Sequence, residues 1–124
     1  MAKVRKYPTV KEWKEKVCEY LKDHKEYYIQ HMLKVLEYED LETLQKDEYS
    51  MAWGFDCGWV NLVPKNKEMA REWRLDNDGI PDYIWDPANA VYSTQSITIK
   101  QAIMEQCVKD MQIEDKFEVV ERYD

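Results

Sequence analysis

The sequence predicts an α+β fold in which N-terminal helices pack on a small split-βαβ, ferredoxin-like antiparallel sheet. Three observations carry that expectation. Apolar and aromatic residues recur every three or four positions from Val10 to Val35, the period of an amphipathic helix, with no Gly or Pro in residues 9–38. Beyond Tyr49 the pattern shifts to short β-branched and aromatic runs separated by turn residues. A chain of 124 residues is long enough for one domain with a core, and 44% hydrophobic content is too apolar for a disordered chain. The expected organisation is a single domain over 1–124, with a helical part at 8–48 and a β-α-β-β-α-β part at 52–124.

Each element has its own local reason. Thr9-Val10-Lys11-Glu12 fits a capping box, in which the Thr hydroxyl and the Glu carboxylate serve backbone N–H groups that the first turn leaves free. The stripe that follows runs through Val10, Trp13, Val17, Tyr20/Leu21, His24, Tyr28, His31/Met32 and Val35, as one long helix or as two broken near Asp23, where Asp23-x-x-Glu26 offers a second cap. Asp40 to Glu48 predicts a further helical turn or two, with Leu41 and Leu44 facing in. Cys57 to Val63 is β-rich and stops at Pro64. Lys65 to Leu75 has helical composition, with Met69, Ala70 and Trp73 on one side. Asp76-Asn77-Asp78-Gly79 is a turn, since Gly accepts the positive φ such turns often require. Asp82–Trp85 and Ala90–Ile97 read as strands joined through Asp86-Pro87-Ala88-Asn89. Thr98-x-x-Gln101 offers another capping box, before a stripe of Ile99, Ala102, Ile103, Cys107 and Met111. Lys116 to Arg122 closes the chain as a final strand.

Charge and composition narrow the chemistry. The net charge is −7, from 25 acidic and 18 basic residues. It is unevenly spread: +4 over residues 1–25, −5 over 26–50 and −6 over 51–124. An acidic body argues against non-specific nucleic-acid binding, which requires Lys and Arg to displace phosphate counterions. It suits docking on a basic partner instead. No apolar run approaches the length of a membrane span, and the basic opening is followed by no apolar segment of the secretory kind, so a soluble chain is expected. Cys18, Cys57 and Cys107 are three widely spaced cysteines without a Cys-x-x-Cys pair, as expected of reduced thiols in a cytoplasmic protein.

The local constellations that tempt a catalytic or metal reading each lack a part. Asp76 to Asp82 resembles an acidic calcium loop around Gly79, but that alignment puts Arg74 in the first ligand position and Trp85 in the twelfth. His24 and His31 share a helical face, yet lack the i, i+4 spacing of a metal pair and two further ligands. Cys57 follows Asp56, whose charge opposes formation of a thiolate. Phosphate-cradling loops are hard to build with three glycines, and neither a zinc-protease nor a nucleophile-elbow motif is present. No enzyme, catalytic residue, metal or cofactor is therefore expected. Trp53, Phe55, Trp59, Trp73, Tyr83, Trp85 and Tyr92 exceed what one small core hides, which predicts aromatic anchors at the surface.

Four motifs, Asp56-Cys57-Gly58-Trp59, Trp85-Asp86-Pro87, Thr94-Gln95-Ser96 before a helix, and Arg122-Tyr123-Asp124, occur in that order. Together they resemble a group of small proteins of tailed phages and prophages, over residues 52–124. The pattern differs in having Asn at position 86 and Leu at position 123. No catalytic role comes with the resemblance; what it implies is a mobile-element protein in a bacterial cytoplasm. With the acidic charge and surplus aromatics, the expected function is inhibition of a host defence factor, such as a CRISPR effector nuclease, by a binder that competes for its basic channel. The residues expected to meet that partner are Glu37, Glu39, Asp40, Glu42, Asp47 and Glu48. Direct contact with nucleic acid or membrane is not expected. The alternatives are a small-ligand binder, for a nucleotide signal, using Trp85, Thr94, Gln95, Ser96 and Arg122, or a non-catalytic accessory oligomer.

Overall fold

The computed structural model describes residues 6–44, 46, 57–75, 81–94 and 96–123. The expected class is the one it adopts: α+β, with helices preceding an antiparallel sheet. In chain order the elements are α1 (Val10–Asp23), α2 (Lys25–Val35), β1 (Gly58–Pro64), α3 (Lys67–Leu75), α4 (Pro87–Tyr92), α5 (Ile97–Asp110) and β2 (Phe117–Tyr123). Residues 41–44 form a helical turn after α2. No helix among the described residues is long and apolar enough to cross a membrane.

The N-terminal stripe forms two helices. Thr9 caps α1 as a full capping box, its hydroxyl accepting the Glu12 N–H at 3.0 Å while the Glu12 carboxylate accepts from the Thr9 N–H. The break falls at His24, one residue beyond Asp23, and no side chain caps the start of α2. His24 fills the junction instead: its Nδ1 lies 2.9 Å from the Tyr20 carbonyl and its ring stacks on Tyr20 at 4.3 Å. Trp13, Val17 and Leu21 on α1, and Tyr28, Met32 and Leu33 on α2, face the core.

β1 and β2 pair antiparallel from Gly58↔Tyr123 to Pro64↔Phe117. Val60, Leu62 and Phe117 are buried, and Phe117 meets Trp13 edge-on at 5.1 Å and Trp73 at 6.0 Å. α5 packs on α2, α4 and both strands. Its buried set runs around most of the helix, as expected for an element enclosed by the others. α5 starts two residues earlier than the Thr98-x-x-Gln101 reading requires: its cap is Ser96, whose hydroxyl accepts the Ile99 N–H at 3.2 Å. α3 is capped by Asn66, which accepts from the N–H groups of Glu68 and Met69.

The sheet is smaller than the β-α-β-β-α-β order requires, with two paired strands among the described residues. Of the strand expected at Asp82–Trp85, only Ile84 pairs, exchanging two 2.9 Å backbone hydrogen bonds with Leu62. The chain then turns off the sheet edge at Asp86, whose φ of 42° is left-handed. Residues 90–92, expected in the next strand, belong instead to α4. Pro87 at its first position has the φ a helix start requires, Ala88 is buried, and Ser93 ends it in a second left-handed conformation. The Tyr92 hydroxyl donates to the Leu21 carbonyl, which holds α4 on α1.

Candidate functional site

The most unusual chemistry in the molecule lies where three of the sequence motifs converge. Lys100 on α5 is fully buried, and so is Asp86; the ammonium donates to the Asp86 carboxylate at 2.8 Å and to the Gly58 carbonyl at 2.7 Å. The other Asp86 oxygen accepts the Val60 N–H at 3.1 Å, and the Asp86 N–H donates to the Asn61 side chain at 3.0 Å. Beside this knot, Cys57 and Ser96 form an isolated bridge. Its physical logic is edge termination. Past the Ile84–Leu62 pair the neighbouring backbone leaves β1, and the Asp86 carboxylate replaces the carbonyl that Val60 would otherwise have met. A carboxylate in that position would be an unpaired buried charge without Lys100. Lys100, both Asp86 oxygens and the Asn61 carbonyl oxygen each meet a protein group, so these bonds tie α5, β1 and the turn before α4 together.

Lys100 was not among the residues that sequence reasoning selected. It stands inside the α5 stripe between Ile99 and Ala102, where a lysine reads as solvent-facing. The one local signal was Asp86, a carboxylate directly before Pro87.

The acidic group is only partly described. Glu37, Glu39, Asp40 and Glu42 are exposed, and Asp47 and Glu48 lie outside the described residues. Two of the four are already engaged. Asp40 caps the turn at 41–44 by accepting the Thr43 N–H at 2.8 Å, and that bond holds its carboxyl below the usual range. Glu42 pairs with Lys46 at 3.3 Å. Close by, α2 leaves Tyr27 and Val35 each 52% exposed, two turns apart.

The expected small-ligand residues separate into a pair bound up in the start of α5 and a surface pair. Thr94 and Ser96 are structural: the Thr94 hydroxyl accepts the Ser96 N–H, and Ser96 caps α5. Gln95 lies outside the described residues. Trp85, 43% exposed, stands 6.5 Å from Trp59, with the Lys14 ammonium 5.5 Å from its ring centre. Exposed Arg122 is the register partner of Trp59, which brings a second cation to the same end of the sheet. Trp59 and Lys14 were not in the group read from sequence.

The calcium-like turn at 76–80 lies outside the described residues, and among those that are described no three His, Cys, Asp or Glu side chains gather as a metal site. Burial pushes the Cys107 thiol up to about 12 and also raises Cys18, so neither thiol is disposed to act as a nucleophile. No family model, curated protein or solved structure matches the chain at a significant level. A functional reading therefore rests on the chemistry of its own surfaces.

Proposed function

We propose that the chain is a mobile-element protein that binds and inhibits a bacterial host defence factor. In this reading it is an anti-CRISPR-type blocker of a nucleic-acid-binding effector nuclease and acts in the host cytoplasm as a binder, not a catalyst. The observation that carries the reading is the exposed run Glu37, Glu39, Asp40 and Glu42, set directly after a helix that leaves Tyr27 and Val35 uncovered. Carboxylates of this kind speed encounter with a basic channel, and an exposed aromatic provides area that binds at small entropic cost. Glu37 and Glu39 matter most, since Asp40 and Glu42 already have partners within the chain.

The test is an affinity pull-down from a bacterial lysate containing CRISPR effectors, at low and high salt, with wild type and a Glu37→Lys/Glu39→Lys variant. Capture of an effector at low salt, lost at high salt and in the variant, is the expected result. Equal capture by both proteins, or none at low salt, would sink the proposal.

A second reading is favoured by one specific observation, the Trp59–Trp85 pair with Lys14 and Arg122 beside it. Two aromatic faces and two cations suit a small aromatic anion such as a nucleotide signal. A thermal-shift screen over nucleotides tests it, and a response abolished by Trp85→Ala is expected. A flat response across the panel removes it.

A further inference from the structure

Charge is segregated across α1. Glu12, Glu15 and Glu19 border a hollow beside Trp13 and Lys16 on one flank. Lys14 and Lys22 lie on the opposite flank, the one marked by Cys18. Burial raises the Cys18 thiol, and these two lysines, one turn to either side of it, pull against that rise. This flank faces the segment 85–92, which runs beside α1 in the same direction. Lys14 meets Trp85, the Cys18 thiol donates to the Pro87 carbonyl at 3.8 Å, and the Tyr92 hydroxyl donates to the Leu21 carbonyl at 3.3 Å. The seam between α1 and α4 is therefore one continuous line with a fixed order of groups.

Rings and cations are paired along that line. At one end Trp59 stands beside its register partner, exposed Arg122. Trp85 follows, 6.5 Å from Trp59, with the Lys14 ammonium 5.5 Å from its ring centre. Exposed Lys22 comes next, and the far end is half-buried Tyr92, with the Lys25 ammonium 5.8 Å from its ring centre. Three such pairs in a row match a polymer whose every unit carries a flat ring and an anion, which is a single-stranded nucleic acid. A duplex keeps its base faces stacked inside, and an acidic peptide brings no row of rings. From Lys14 to Lys22 the helix rises about 12 Å, the length of roughly four stacked nucleotides at about 3.4 Å each. The net charge of −7 argues against contact with nucleic acid, but its nearest carboxylates lie off this line or are engaged. Asp86 is buried against Lys100, Glu26 accepts from Gln30, and the run from Glu37 to Glu42 follows the far end of α2.

We propose that the seam between α1 and α4 binds single-stranded nucleic acid, with bases stacked on Trp59, Trp85 and Tyr92 and phosphates on the cations beside them. Stacking on Trp85 replaces the weaker contact that the Lys14 ammonium makes with its ring in the free protein. The proposal rests on the nucleotide reading for its Trp59–Trp85 end, whereas Lys22, Lys25 and Tyr92 lie outside the nucleotide site.

The test is fluorescence anisotropy of a labelled oligothymidylate of about ten nucleotides, titrated with the full chain over a range of salt. Binding is expected at low salt and is expected to weaken with a log–log slope of about −3, for four phosphates at about −0.7 each. Lys22→Ala/Lys25→Ala, at two exposed positions, is expected to bind the oligomer about ten-fold more weakly or worse and to lower the slope by about 1.4. The same variant is expected to keep the wild-type thermal shift with single nucleotides, while Trp85→Ala loses both responses. An oligomer bound no more tightly than single nucleotides, or bound equally by the double lysine variant, would overturn the proposal and leave the nucleotide reading standing. Equal displacement by an oligoglutamate of the same length would overturn it as well, by showing that charge alone is read. A flat response to oligomer and nucleotides alike removes both.

Discussion

The Asp86–Lys100 pair shows how a single residue can decide whether an edge is tolerated. Asp86 has a left-handed backbone, a carboxylate on the Val60 N–H and an ion pair with Lys100, all with no exposure to water. Removing one partner of such a pair leaves an uncompensated charge in a medium that stabilises it poorly. Lys100→Met is therefore expected to cost about 3–5 kcal/mol of stability. Asp86→Asn/Lys100→Met is expected to cost clearly less than the two single changes added together, because the double variant buries no charge. Urea unfolding of the four proteins measures both quantities. Strict additivity would mean that the two side chains act separately and that the geometry is incidental. The pair was illegible in the sequence for a physical reason. Asp86 and Lys100 are 14 positions apart and Gly58 lies 42 positions from Lys100, so no local period relates them.

At the scale of the element, local rules worked where their partners are local. The Thr9–Glu12 capping box forms as its spacing requires, and Trp13, Val17, Leu21, Tyr28 and Met32 of the stripe face the core, whereas His24 at the break and Val35 at the end of α2 stand exposed. Local rules also misplaced two boundaries. Thr98 and Gln101 have the spacing of a cap, yet Ser96 caps α5; Lys65 fits a helix by composition, yet Asn66 starts α3. Ala90–Ile97 reads as a strand in the sequence. The left-handed turn at Asp86, Pro87 at the first helical position and the anchoring of Tyr92 on Leu21 outweigh that preference. The acidic run was legible as charge, and the local partners of Asp40 and Glu42 are what reduce it. Asn66→Ala and Ser96→Ala are each expected to cost about 1 kcal/mol, the usual worth of a side-chain cap. Thermal unfolding of each variant reads this directly, and an unchanged midpoint for either would show that its helix start is held by packing alone.

The whole molecule is closed by contacts distant in sequence. β1 pairs with β2 across more than fifty residues, and the segment at 6–8 is tied to α3 by Lys6 and Tyr7 on Glu68 and Glu72 and by the Pro8 carbonyl on Trp73. Inside this closure, four groups that ionise by losing a proton sit at the packing of α1, α2, α4 and α5. Burial raises Cys18, Tyr28, Tyr92 and Cys107, and the Tyr28 hydroxyl is held further in its protonated form by Asp110. A raised folded value means that the folded state keeps a proton which the unfolded chain has already released. Their contribution is therefore complete below the unfolded value, 9.0 for the thiols and 10.0 for the phenols, and is lost as pH rises. For Cys107 the loss continues until about 12. Cys107 thereby removes about 1.4 kcal/mol per pH unit within its window. Cys107→Ala is expected to start less stable at pH 7, because a buried side chain is shortened, and then to decline less steeply than wild type between pH 9 and pH 11. The two stability curves should converge by roughly the amount one group supplies over that interval. Parallel curves would show that Cys107 ionises in the folded protein as readily as in the unfolded chain, against the burial that raises its thiol.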